Sequence, residues 1–259
     1  MNAFAGLDVR TAPADGPVAF GAGLGAAELL AAYRCGLFPM PAADEFAAAY
    51  NEARFQDAVE KGELALLTAP GGPSGGPDAD PYALAWWSPD PRPVLPPDGV
   101  RIGRRLARRL RNGLPWWTSA DRSFGEVLER CAERRQPVWL TDELKKGLEE
   151  LHALGAAHSG EVWEGDELIG GVFGVATGPV LSLDSMFHLR PDAARVAVAD
   201  LGVRFGAAGG RLLDAQWDGP HIRSLGAVLM PRERYLAELA AGVEPGPLAC
   251  GPKPAARLA

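Results

Sequence analysis

The sequence predicts a mixed α+β protein, and three observations carry that reading. Residues 158–163 and 167–175 are strand-like runs on either side of Glu164-Gly165-Asp166, the pattern of an antiparallel hairpin. Residues 192–207 place Ala194, Val198, Leu201 and Phe205 on one helical stripe, between strand-like segments at 180–183 and 211–217. Residues 101–112, RIGRRLARRLRN, are amphipathic at helical spacing, with Ile102, Leu106 and Leu110 on one side and arginines largely on the other.

The remaining elements follow in order. Residues 26–34 form a short helix ended by Gly36 and Pro39, and residues 42–61 form an Ala-rich, acidic helix. APGGPSGGPDADP at 69–81 reads as a flexible loop. LAWWS at 84–88 has strand character and is stopped by Pro89, Pro91, Pro93, Pro96 and Pro97. Helices are expected at 123–133 and 142–154, the second capped by Thr141. A short helix at 221–225, a last strand at 227–230 and a helix from about Pro231 complete the chain.

This order suggests a small N-terminal α/β domain: residues 1–82, with helices and the Pro/Gly-rich loop, completed by the WWSPDP strand and basic helix at 83–120. A larger catalytic domain would span 121–245, and residues 246–259 read as a flexible tail. No internal repeat is present.

The 259 residues, 47% hydrophobic and 23% charged, have an ordinary globular composition and can bury a core. A net charge of -7 speaks against a protein that coats nucleic acid, but the charge is unevenly spread. Residues 1–100 are net -8, residues 101–150 net +4 and residues 151–259 net -3, so one basic island lies between two acidic stretches. Cys35, Cys131 and Cys250 are far apart and show no zinc or disulfide spacing, which favours a reducing cytoplasm. No signal peptide pattern is seen, and the uncharged run at 168–183 is short and glycine-rich for a membrane helix, so no membrane partner is expected. No interface pattern stands out, and a monomer is the expectation.

Antiparallel strands, a helix, a strand, a helix and a strand together resemble the acetyltransferase-type (GNAT-type) α+β fold. That fold usually holds coenzyme A on backbone N–H groups of a Gly-rich loop after its fourth strand. The corresponding residues 187–195, FHLRPDAAR, have no glycine, and Pro191 has no N–H to offer, which argues against that donor.

Short blocks then carry a more specific resemblance. AYRCGLFP at 32–39, WWSPDPR at 86–92 and VWLT at 138–141 come first. His158-Ser159 with Glu161, Trp163, Gly165, Leu168, Gly170 and Gly171 follows. Asp184-Ser185-Met186-Phe187, Asp214-Ala215-Gln216 and Pro220-His221 with Ser224-Leu225-Gly226-Ala227 complete the series. In this order they resemble the leucyl/phenylalanyl-tRNA–protein transferases, whose blocks read AYR-x-G-(I/L)-FP, WWSPDPR, TWIT, HS-x-E, ESMF, DCQ and PH-x-x-SLGA.

The resemblance implies an acetyltransferase-like fold and transfer of Leu or Phe, less readily Met, from aminoacyl-tRNA to acceptor proteins beginning with Arg or Lys, marking them for degradation. Passing from ester to amide is downhill, so neither ATP, a metal nor another cofactor is implied. It assigns Asp214 and Gln216, two apart on an expected strand and hence on one face, to orienting the attacking amine. An amide is a very weak base, so Gln216 reads as a hydrogen-bonding positioner with Asp214 as its electrostatic partner. Asp184 is the candidate holder of the acceptor's cationic N-terminus.

Trp87, Trp139, Ser185, Met186 and Phe187 are candidates for the aminoacyl pocket and the terminal adenosine, which aromatic faces can stack. Arg101, Arg104, Arg105 and Arg108 are candidates for the tRNA backbone. Plainer readings stand beside these: Asp214 as a turn cap, the Trp pair as core, the arginines as a solvated helix face, and His158 and His221 as structural histidines.

The sequence also departs from the family pattern. Met40 stands where the FPW block has Trp, Asp184 where ESMF has Glu, Leu181-Ser182-Leu183 where an aromatic pair and glycine are usual, and His188-Leu189 where Ser-Arg is usual. Residues 41–82 are longer than the pattern. These departures surround the expected pocket and leave open an aminoacyl-tRNA-dependent ligase with another acceptor and a noncatalytic tRNA- or degron-binding module; a coenzyme A-dependent N-acetyltransferase stands as a third alternative from the fold pattern, against which the glycine-free loop argues.

Overall fold

The computed structural model describes residues 3–68, 80–133 and 138–259; residues 69–79, most of the expected Pro/Gly-rich loop, lie outside the described residues. Two sheets organise the rest. The smaller contains β1 (Pro17–Gly21), β2 (Phe38–Pro41), β3 (Ala65–Leu67) and β4 (Leu84–Trp87), ordered β2-β4-β1-β3. Helix α1 (Ala26–Arg34) links β1 to β2, and α2 (Glu45–Glu60), capped by Asp44 on the Ala47 N–H, links β2 to β3.

The larger sheet contains β5 (Arg92–Leu95), β6 (Trp116–Ala120), β7 (Ala157–Glu164), β8 (Glu167–Thr177), β9 (Val180–His188), β10 (Leu212–Asp214), β11 (Val228–Met230) and β12 (Lys253–Pro254). Its strand order is β11-β5-β10-β9-β8-β7-β6-β12. The helices are α3 (Arg104–Asn112), α4 (Phe124–Glu133), α5 (Asp142–Ala153), α6 (Ala193–Ala207), α7 (Pro220–Leu225) and α8 (Arg232–Ala240). The expected hairpin is the β7–β8 pair, and Thr141 caps α5 by accepting the Leu144 N–H at 3.3 Å.

The faces of the large sheet are covered differently. On one, Val196, Leu201 and Phe205 of α6 join Leu106 and Leu110 of α3 over Val172 and Leu181. On the other, Leu29 of α1, Val127 of α4 and Leu148 of α5 pack with Phe173, and Trp86 of the small sheet joins the same core. Burying such side chains contributes about 1.5–3 kcal/mol each, enough to hold both layers on the sheet. Among the described residues no helix is long and apolar enough to cross a membrane.

Six strands among the described residues escape sequence reasoning: β1, β2 and β3 of the small sheet, and β5, β6 and β12 of the large one. The proline-rich segment after Trp87 contains β5, an inner strand paired with both β10 and β11. Pro93 can sit there because its carbonyl still accepts the Ala215 N–H at 2.9 Å; only a donor is lost. The WWTSA segment is β6, paired with β7. Residues 83–120, expected to complete the N-terminal domain, therefore contribute to both sheets.

Residues 246–259, expected as a flexible tail, instead lie along the large sheet. Lys253 and Pro254 pair with Thr118 and Trp117. Arg204, 1% exposed, donates to the carbonyls of Ala249 and Gly251 and pairs with buried Asp200, which Arg257 reaches from the tail. This contact also explains why α6 carries buried charge beside the apolar stripe that periodicity predicted. Arg204→Ala leaves Asp200 with one partner and releases the tail, so a loss of about 3–5 kcal/mol is expected by chemical denaturation. A change below about 1 kcal/mol would show that the clamp does not hold the tail.

Candidate active site

The register between β8 and β9 slips once. Gly174 is opposite Leu183 and Phe173 opposite Ser185, so Asp184 is the extra residue of a β-bulge. Plain alternation would put residues 181, 183, 185 and 187 on one face. With the bulge, Leu181 and Leu183 remain in the α6-side core while Phe187 joins Phe173 in the opposite one. Gly174 permits the arrangement, because a Cβ there would lie 1.9 Å from the Ser182 carbonyl oxygen.

The bulge brings Asp184 to Tyr33 of α1 and to Gln216. The Tyr33 hydroxyl, from α1, donates to Asp184 Oδ2 at 2.7 Å, and Gln216 Nε2 donates to Oδ1 at 2.6 Å. Burial, followed by the nearby Asp214 charge, raises the Asp184 carboxyl to about 7, against the lowering effect of the hydrogen bonds from Tyr33, Ser182 and Gln216. Burial, with Asp184 beside it, holds the Tyr33 phenol well above its ordinary value, so it stays a donor.

Gln216 is not on the strand, which corrects the reason for expecting it beside Asp214. β10 ends at Asp214, and the Trp217 N–H donates back to the Ala215 carbonyl at 2.6 Å with Gln216 at φ 59. That is a γ-turn with its central residue at positive φ, a rare and costly conformation for a side-chain-bearing residue. Asp214 holds the turn by accepting the Gln216 N–H at 2.8 Å. Because Gln216 Nε2 also donates to Ser182 Oγ at 3.0 Å, the amide is fixed in orientation, and among the described residues no protein group donates to its Oε1.

Asp214, 1% exposed, is enclosed by protein. It accepts the Tyr235 hydroxyl at 3.0 Å, and Arg92 Nη1 lies 3.4 Å from its Oδ2. The Arg92 guanidinium, fully buried, donates to the Gly36 carbonyl and Ser88 Oγ and lies over the rings of Phe38 and Tyr235 at 5.1 and 4.5 Å. Gly36 is at φ 77, and a Cβ there would lie 2.5 Å from Leu236, so glycine is needed to present that carbonyl.

The pocket candidates are only partly brought together. Trp87 packs edge-on against Trp217, centroids 5.1 Å apart, and Trp217 against Phe38 at 5.4 Å. Phe187 and Met186 fall in the two different cores, on opposite faces of the sheet. Ser185 Oγ and Trp139 Nε1 are buried and without a hydrogen-bond partner among the described residues. Trp217, unremarked in the sequence, is the aromatic nearest along the chain to Gln216; its adjacency to the DAQ block was the available signal.

Of the basic candidates, Arg101 and Arg105 line a cleft of about 800 Å³ with Arg109, Arg195 and Ser224, beside the N-terminus of α6. Arg104 and Arg108 are exposed on the same helix outside that lining. His158 Nδ1–H donates to the Asp121 carboxylate at 2.8 Å, as a structural histidine would. Among the described residues no three His, Cys, Asp or Glu side chains gather as a metal-ligand set.

A family model described as leucyl/phenylalanyl-tRNA protein transferase matches residues 94–240, which include the bulge, the γ-turn and α6. The chain belongs to this family. A transferase of this name from Proteus mirabilis (strain HI4320) is 44% identical over 60% of this chain and 66% of its own length. One from Idiomarina loihiensis is 40% identical over 62% and 69%, and one from Anaeromyxobacter sp. (strain K) 43% identical over 62% and 70%. The chain thus matches about two thirds of the length of these leucyl/phenylalanyl-tRNA–protein transferases. Among solved structures, a conserved protein of unknown function from Bacteroides thetaiotaomicron VPI-5482 matches with a TM-score of 0.38 and 12% identity over 60% of this chain and 57% of that one, too low for its fold to be carried over.

In this transferase-family chain the Tyr33 hydrogen bond stabilises ionised Asp184, so its removal shifts the titration upward. Tyr33→Phe is expected to move the Asp184 midpoint above about 7 in a carbon-13 carboxyl NMR titration. An unchanged midpoint would show that the phenol does not hold the carboxylate.

Proposed function

We propose that the protein transfers Leu, Phe or Met from aminoacyl-tRNA to the N-terminal Arg or Lys of acceptor proteins. The observation that carries this reading is the Tyr33–Asp184–Gln216 constellation, lying in or against the family-matched segment and beside an aromatic rim. The acceptor α-amine attacks the ester carbonyl, the tetrahedral intermediate collapses, and the ribose oxygen leaves with a proton that the nitrogen gives up.

Each group has a part suited to its chemistry. Gln216 Oε1 accepts an amine N–H and aims the nitrogen lone pair, a positioning contribution that needs no basicity. Asp184, at about 7, is matched to take the proton an α-ammonium must lose before attack. Asp214 acts through Gln216, as a positioning residue held by Arg92 and Tyr235. Ser185 Oγ and Trp139 Nε1 are buried donors without an acceptor among the described residues, and Trp87 belongs to the rim.

The finer acetyltransferase-like fold is supported by the β7–β8–β9 antiparallel run, the α6 crossover and the parallel pairing of β10 with β9. A coenzyme A donor is disfavoured at the N-terminus of α6. Pro191 offers no N–H, and the Asp192 carboxylate, paired with Arg109 at 3.1 Å, occupies the N-cap where a pyrophosphate would need a positive end. The neighbouring arginine cleft suits tRNA phosphates, which bind without base sequence. A division into a small-sheet unit and a large-sheet unit, acting as one monomeric enzyme of the cytoplasm, fits this reading.

Incubation with labelled Leu- or Phe-tRNA and a peptide beginning with Arg or Lys is expected to move label into the peptide; absence of transfer by the intact chain would overturn the proposal. Asp184 is protonated below about 7, so the rate is expected to rise with pH through that value. Asp184→Asn should remove this limb and lower kcat by about 10²-fold; a retained limb would take the proton away from Asp184. Arg101→Glu with Arg105→Glu should weaken tRNA binding and reduce the slope of log K against log salt by about 2. An unchanged slope would remove the cleft from the tRNA path.

A further inference from the structure

The rim beside Gln216 holds an aromatic that neither the family blocks nor the proton chemistry above accounts for. Trp217 follows Gln216 directly, and the γ-turn that draws the Gln216 amide towards Asp184 carries the next side chain to the rim. Its indole meets Phe38 of β2 at 83° and Trp87 of β4 at 64°, so both neighbours hold it in T-shaped contacts. It nevertheless remains 37% exposed, while Phe38 is 2% exposed. T-shaped contacts with two neighbours hold the ring at a fixed tilt, and the exposed remainder is indole surface that protein does not cover.

The same strand face has lost an aromatic. Met40 and Phe38 are two apart on β2 and so share a face, and Met40 is the position at which the FPW block of the resemblance has Trp. A methionine there is flexible and gives no flat platform. Trp217 brings a supported indole to this rim from the opposite direction in the chain, next to the residue that aims the attacking amine.

We propose that Trp217 is a substrate-binding residue whose indole stacks on the heteroaromatic base of the donor's terminal nucleoside, taking over the aromatic surface that Met40 does not supply. The proposal rests on the transferase reading, and it adds a residue and a ligand part to that site. A partly open indole suits a base better than an apolar aminoacyl side chain, because a base presents a flat π-face and keeps its polar edge in water. An aminoacyl side chain gains most from full enclosure.

The test uses the full-length protein and two nonhydrolysable probes, 3′-(phenylalanylamino)-3′-deoxyadenosine and the same aminoacyl ribose lacking its base, with Kd measured by calorimetry. Trp217→Ala is expected to weaken the adenosine probe about tenfold, the scale of one lost base–aromatic stack, and to leave the abasic probe unchanged. Trp217→Phe, which keeps a ring for Phe38 and Trp87 to support, should stay within about threefold of the unsubstituted protein. The acceptor-peptide KM should not move. Equal binding of the adenosine probe by Trp217→Ala and the unsubstituted protein would overturn the proposal, as would an equal loss for both probes or a loss confined to the acceptor KM. If the unsubstituted protein binds the adenosine probe yet transfers no label, the transferase reading fails while the stacking site stands. If it transfers label but Trp217→Ala binds the probe normally, only the stacking site fails.

Discussion

Arg92 has no contact with solvent, and a guanidinium withdrawn from water costs several kcal/mol unless it is surrounded by compensating groups. Those groups come from every part of the molecule: the Gly36 carbonyl after α1, Ser88 after β4, Asp214 at the end of β10, and the rings of Phe38 and Tyr235. The small sheet, the large sheet and α8 each supply part of this environment; Arg92 Nε and Nη1 lack hydrogen-bond partners among the described residues, so omitting any contributor deepens the cost of burying the cation. Arg232 repeats the arrangement nearby, donating to the carbonyls of Ser88, Ala12 and Pro13. The seam between the sheets is thus tied by buried arginines, and the active-site groups hang from it.

Two carboxylates lie near that seam on the neighbouring strands β9 and β10. Asp214 faces Arg92, a backbone N–H and a phenol, which give its charge a fixed environment and leave no side open to substrate. Among the described residues Asp184 has hydrogen-bond donors but no ion-pair partner, and burial near Asp214 raises it to about 7. In the proposed reaction two groups of the same type thereby take different tasks: one sets geometry, the other exchanges a proton. The acidic side chains of the family blocks are chemically alike in sequence, and only their surroundings distinguish them.

Much was legible beforehand. Hairpin, α6 stripe, Thr141 cap and basic helix were readable because each rests on local spacing or on a cap within one turn. The family blocks brought Asp184 and Gln216 forward together, and they meet at 2.6 Å. What stayed hidden depends on contacts distant in sequence. β5 looks like a proline-rich stop until β10 and β11 pair with it from either side. The tail looks unstructured until Arg204, on α6, reaches its carbonyls.

The sequence by itself determined which residues were available: the DAQ, DSMF and WWSPDPR blocks, the arginine helix and the missing glycines of a coenzyme A loop. Those are matters of identity and local period, and they reach as far as the family. Tertiary structure decided their roles. A one-residue bulge turned Asp184 towards Tyr33, a γ-turn took Gln216 off the strand and Trp217 to the rim, and burial set the Asp184 proton near neutrality. The reason is physical: register and desolvation are sums over neighbours far apart in the chain, and no window of sequence contains them.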